Sequence, residues 1–155
     1  MPRLLNRQPS MAQPKLPAVM VQQLDVLADT FELPLARVLR VILRESLLDP
    51  ALHALVASEI DRQRWRRIHE GSTMVNVAIS PCVVSVFADL MASAQARSSE
   101  VARAVFTVAC DGRLSRFKKA LYAEDALHDD LLERRRAKVL VAAKRVGLQL
   151  ATVQA

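Results

Sequence analysis

The apolar positions of this chain fall into helical and alternating patterns that divide it cleanly. From Pro17, Met20, Val21, Leu24, Leu27, Ala28 and Phe31 recur at spacings of three and four, which places one apolar stripe on a helix. Pro34 breaks that helix. Leu35, Val38, Leu39, Ile42, Leu43 and Leu47 then give a second stripe. Asp49-Pro50 restarts the chain, with Asp49 as N-cap and Pro50 in the first helical position of a third helix. That helix runs into a basic cluster, Arg62, Arg64, Trp65, Arg66 and Arg67, before His69-Glu70-Gly71.

The period then changes. Residues 73–80 alternate, with Val75, Val77 and Ile79 on one face, which predicts a strand buried on one side. Ser80-Pro81 opens a helix, serine as cap and proline as first residue, with Val83, Val84, Phe87, Leu90 and Met91 as its apolar face. A break at Gln95-Ala96-Arg97 leads to a second start at Ser98-Ser99-Glu100, where the serines are expected to cap. Val101, Ala102, Val105, Phe106 and Ala109 carry that helix to a stop at Gly112. A long helix is expected from about 125 to about 153. In it Leu127, Leu131, Val139, Ala143, Val146 and Leu150 are available for packing, and Arg134, Arg135 and Arg136 lie on other, solvated faces. Prolines at 2, 9, 14 and 17 keep the N-terminus extended, with residues 1–10 flexible.

Sliding residues 11–47 along by 63 positions aligns like with like, without a gap. Leu16 falls on Ile79, Met20 on Val83, Leu24 on Phe87, Leu27 on Leu90, Val38 on Val101, Arg40 on Arg103 and Leu43 on Phe106. The match is of residue type more than identity. If it is a repeat, residues 10–17 correspond to strand 73–80. They make a poor strand, because Pro14 has no N–H; that is tolerable only where the missing donor would face outward from a two-stranded ribbon.

The 155 residues suit one domain or two very small ones sharing a core. Hydrophobic residues make up 52% and only three glycines occur, so a buried helical core is expected and a many-stranded sheet is not. The net charge of +6 favours a polyanionic partner. Cys82 and Cys110 sit far apart in apolar runs and read as buried free thiols. Lacking a signal peptide or an apolar run of about 18 residues, the chain is expected to be soluble and cytoplasmic. His53, His69 and His128 have no metal-ligand spacing, and no phosphate loop or nucleophile elbow is present. Neither a metal, a cofactor nor an enzymatic activity is therefore expected.

Two stretches, Val75-Asn76-Val77-Ala78-Ile79-Ser80-Pro81 and Arg97-Ser98-Ser99-Glu100-Val101-Ala102-Arg103-Ala104-Val105, resemble the ribbon-helix-helix family of MetJ, Arc and CopG type. The likeness covers about a quarter of the chain, or twice that with the repeat. It departs in the turn, where many members have glycine and this chain has Gln95-Ala96-Arg97. The resemblance implies a mainly α fold around a ribbon-helix-helix core, one or two short strands forming an antiparallel ribbon, with additional helices. Its parts would be a flexible 1–10, a degenerate first repeat 11–48, a connecting helix 49–71, a second repeat 72–112 and a helical extension 113–155.

The resemblance further implies a sequence-specific double-stranded DNA-binding protein, such as a transcriptional repressor or an accessory factor of plasmid maintenance or transfer. It would place a β-ribbon in the major groove and be nucleoid-associated when bound. Met74, Asn76 and Ala78 would read bases, joined by Gln13 and Lys15 if the first repeat supplies the partner strand. Arg97, Ser98 and Ser99 would hold phosphate. The ribbon would form in a homodimer or as a pseudo-dimer within one chain. The alternative is a helical protein-interaction module, antitoxin-like or an assembly factor, whose strand serves only to dimerise.

Overall fold

The computed structural model describes residues 10–64 and 72–146. The chain is mainly helical, with a short two-stranded antiparallel pairing. In order the elements are β1 (Met11–Ala12), β2 (Lys15–Pro17), α1 (Ala18–Phe31), α2 (Leu35–Leu48), α3 (Pro50–Gln63), β3 (Ser72–Met74), β4 (Val77–Ala78), α4 (Val84–Ala94), α5 (Ser98–Asp111) and α6 (Lys118–Arg145). Short 3-10 turns, Pro81–Val83 and Leu114–Phe117, precede α4 and α6.

Local chemistry sets most boundaries where the pattern put them. Pro34 is the N-cap of α2, and its carbonyl accepts from the N–H groups of Arg37 and Val38. Asp49 caps α3, its Oδ1 accepting from Ala51 N at 2.9 Å and Leu52 N at 3.5 Å. Other starts differ from expectation. Ser80 makes no side-chain cap bond; its hydroxyl instead accepts from Arg40 Nε at 3.0 Å. Arg97, not a serine, is the N-cap of α5, so Ser98 and Ser99 fall in the first turn, without side-chain cap bonds. The turn before α5 needs no glycine, because Gln95 itself takes the left-handed conformation at φ 51° and donates to the Met91 and Ala92 carbonyls.

The strands pair within one chain. β1 runs antiparallel to β4, and β2 to β3, with Met11 opposite Ala78, Ala12 opposite Val77, Lys15 opposite Met74 and Leu16 opposite Thr73. The two residue numbers of every pair add to 89, so both pieces share one register and form a single interrupted ribbon. The interruption falls at Gln13-Pro14 and Val75-Asn76. Val75 donates its N–H to the Pro14 carbonyl at 3.0 Å, which makes 14 and 75 a hydrogen-bonding pair. The donor that proline lacks therefore faces the partner strand, not outward. Buried Pro14 packs downward at the cost of one ladder bond.

The offset of 63 recurs in the structure. It carries α1 onto the Pro81–Val83 turn plus α4, and α2 onto α5, residue for residue. It also carries Glu32 onto Gln95, the two non-glycine residues of positive φ among those described, at 53° and 51°. The halves interlock. α2 packs on β4 and on α5, while α5 packs on β1 and β2. α3 crosses to α5, and α6 crosses to α2.

One core results, filled from both halves by Leu24, Phe31, Ile42, Leu43, Phe87, Val105 and Phe106. Ala12, Leu16, Val77 and Ile79 close it from the underside of the ribbon, with Val75 half-buried. Neither half could close such a core alone, since each strand covers the other half's second helix.

The C-terminal helix starts earlier than its pattern suggested. Phe117, Leu121 and Glu124 anchor it in buried positions. Glu124 accepts from Arg37 Nη1 at 3.0 Å and lies 3.8 Å from Arg44 Nη1, which ties α6 to α2. Beyond that anchor Leu127, Leu131, Val139 and Val146 are exposed rather than packed; of the expected packing set only Ala143 is buried, and Leu150 lies outside the described residues. Arg134, Arg135 and Arg136 are exposed on this helix. Among the described residues no helix is long and apolar enough to cross a membrane.

Candidate nucleic-acid interface

The strand pairing brings all five expected base-reading residues, with Met11, onto one exposed face. Met11, Gln13 and Lys15 are exposed on one strand, and Met74, Asn76 and Ala78 on the other, while Ala12, Pro14, Leu16, Val77 and Ile79 are buried between them and Val75 is half-buried. The common register sets Met11 beside Ala78, Gln13 beside Asn76 and Lys15 beside Met74. These are the non-hydrogen-bonded pairs, in which side chains approach most closely.

Gln13 and Asn76 are also related by the offset of 63, so the approximate two-fold axis of the chain passes between two carboxamides. Away from that axis the symmetry of chemistry is lost. Met11 corresponds to Met74, but Lys15 corresponds to Ala78. Met11 and Met74 are 53% and 55% exposed, so this face carries two large apolar side chains in solvent.

Beside the Lys15–Met74 end lies a cleft of about 500 Å³. Its walls are Gln13, Lys15 and Met74 from the ribbon, Ser99, Glu100 and Arg103 from the first turns of α5, and Ile60, Gln63 and Arg64 from the end of α3. Of the expected phosphate-holding residues, Ser99 lines this cleft, whereas Arg97 and Ser98 do not. Arg97 is exposed at the cap, and its carbonyl accepts from Glu100 and Val101. As first-turn residues Ser98 and Ser99 have backbone N–H groups with no partner inside the helix, which is the physical basis of anion affinity at such a terminus.

Arg103 and Gln63 were not among the expected site residues. The signal for Arg103 was its alignment with Arg40, and for Arg64 the basic cluster at the end of the third helix. Trp65, Arg66, Arg67 and His69 of that cluster lie outside the described residues.

Among the described residues no group of three or more histidine, cysteine or acidic side chains could hold a metal ion. Cys82 is exposed, contrary to its apolar surroundings in sequence, because it occupies the outward position of the Pro81–Val83 turn. Cys110 is half-buried, and burial, with a smaller contribution from Asp111, pushes its thiol up to about 11, so it stays protonated and poorly reactive at neutral pH. No family model, no curated protein and no solved structure matches this chain.

Proposed function

We propose that this chain is a sequence-specific double-stranded DNA-binding protein of ribbon-helix-helix type, acting as a repressor or as an accessory factor of plasmid maintenance or transfer. The observation that carries this reading is the exposed ribbon face, where Gln13, Asn76, Lys15 and two methionines stand clear of a core that holds their neighbours. A two-stranded ribbon fits the major groove. Gln13 and Asn76 each match the adenine N6/N7 edge, Lys15 matches guanine, and Met11, Met74 and Ala78 suit thymine methyls. Both strands come from one chain, so the ribbon needs no second copy, and its unlike ends suit a non-palindromic site.

The test is selection of duplexes from a random pool, followed by binding of the winner by fluorescence anisotropy over a range of salt. The expected result is a steep loss of affinity with salt. Asn76→Ala should erase about 1–3 kcal/mol of discrimination at the central base pairs, and Arg97→Ala should weaken all sequences alike. A pool that returns no enriched sequence at low salt refutes sequence-specific binding.

A second reading is favoured by one observation: the exposed Leu127, Leu131, Leu132, Val139 and Leu140 of α6. On that reading the chain is a helical interaction module that captures a protein partner through α6. Co-purification of a partner, lost on changing Leu132 and Val139 to serine but kept with Asn76→Ala, would support it. The two readings are compatible.

A further inference from the structure

The cleft beside Lys15 collects three cations and, among the described residues that line it, one carboxylate. Lys15, Arg64 and Arg103 reach it from three different elements, and none of them has an ion pair among the described residues. The one carboxylate in its wall, Glu100, leaves the three cations in excess. Like charges converging on one cavity raise one another's energy unless an anion enters. Ser99 adds a first-turn N–H and a hydroxyl to the same wall.

The positions related to this wall by the offset of 63 lack this character. The offset of 63 replaces Lys15 by Ala78, Ser99 by Ala36, Arg103 by Arg40 and Glu100 by Arg37. The arginines found there are engaged: Arg40 donates to Ser80 at 3.0 Å and Arg37 to Glu124 at 3.0 Å. One end therefore offers cations with no ion pair among the described residues, and the other offers alanines and arginines already bound.

We propose that the cleft between Lys15, Arg64 and Arg103 is a phosphate-binding site present in one half only, and that it fixes the direction in which the ribbon lies on its duplex. The directional part rests on the DNA-binding reading above; the phosphate site does not. The phosphate is either one of the duplex backbone or the free group of a small molecule, and two arms separate these sources.

In the first arm, amide resonances of the intact protein are followed while inorganic pyrophosphate is added. Ser99, Glu100 and Arg103 should shift, Ala36, Arg37 and Arg40 should not, and Arg103→Ala should abolish the shifts while leaving the melting curve intact. Absence of shifts at the cleft overturns the site.

In the second arm, the selected duplex is probed by phosphate ethylation interference. Blocking phosphates should cluster on one side of the central base pairs. Arg103→Ala should weaken binding about tenfold, as expected for loss of one charge-assisted contact, and lower the salt slope by about one. Arg40→Ala should do neither. A symmetric pattern, or equal losses for Arg40→Ala and Arg103→Ala, overturns the directional claim. Pyrophosphate shifts in a protein that binds no duplex would assign the cleft to a free phosphate and refute the DNA reading separately.

Discussion

The half built from 11–48 and the half built from 74–111 share both ends of their second helix and the end of their first to the residue, yet they use their side chains differently. In the first half the second helix carries Arg37, Arg40 and Arg44, and all three are committed to partners, Glu124, Ser80 and Glu45. In the second half Arg103 is left to the solvent-facing cleft. The first half supplies Pro14, which breaks the ladder, and the second supplies Val77 at the matching place. The lesson is that geometry and chemistry are separable. The core positions of both halves keep the shape, and so the surface positions are free to diverge.

The strongest challenge to this comparison is whether the halves are one unit or two. Leu43 and Phe106 are offset by 63 and both are fully buried. Phe106→Ala should cost about 3–5 kcal/mol and Leu43→Ala about 2–5 kcal/mol. Because each strand covers the other half's helix, each variant should still unfold in one urea transition, with fluorescence and circular dichroism coincident. Two separated transitions would show that the halves are independent.

Next in size is the tie between α6 and α2. Glu124→Ala removes a carboxylate whose side chain is 9% exposed, strands Arg37, which is 26% exposed, and leaves Arg44 with Glu45 alone. Partners that open can rehydrate, so the loss should be about 1–3 kcal/mol, below that for a fully buried pair. Glu124→Gln, which keeps the shape and one acceptor, should lose less. Thermal melts of the two variants measure the difference; equal losses would mean that packing, not charge, holds α6.

A smaller effect tests the one buried polar position at which the second helices differ. Ser46 is buried with an unpaired hydroxyl, and its counterpart in α5 is Ala109. Ser46→Ala removes an unsatisfied group and improves helix propensity, so it should stabilise by about 1 kcal/mol. A destabilised variant would mean that the hydroxyl has a partner in solution.

The helices and the buried face of the ribbon were legible from periodicity because the apolar stripes of 20–31, 35–47, 83–91 and 101–109 report directly on one shared core. The ribbon register was not legible, since it depends on which of two chains or two halves supplies the second strand, and periodicity is silent on partners. The start of α6 was missed for another reason. Phe117, Leu121 and Glu124 are too few and too polar a set to announce a buried face, and a buried glutamate is visible only once Arg37 and Arg44 are placed beside it. The exposure of Cys82 likewise follows from the tight turn and not from its apolar neighbours. The candidate reading face was legible at Gln13, Lys15 and Asn76, whereas Arg64 and Arg103 needed three elements to converge.

The finest distinction between the halves lies at Pro14, and it predicts a small energy change with a large local signature. Pro14→Val installs the side chain that its counterpart Val77 already has, and restores an N–H aimed at the Val75 carbonyl. One more ladder bond should contribute about 1 kcal/mol. The loss of proline's restriction of the unfolded chain should take back about 0.4–1 kcal/mol. The two nearly cancel, so the midpoint of unfolding should barely move. Hydrogen exchange should move clearly: the new amide at 14 should be protected, and exchange at Val75 should slow with it, because the ladder would no longer be interrupted beside the Gln13–Asn76 pair. A new amide that exchanges as fast as an open loop would mean that the ribbon bends away there for a reason other than the missing donor. The central carboxamides would then owe their position to the backbone of the second half alone.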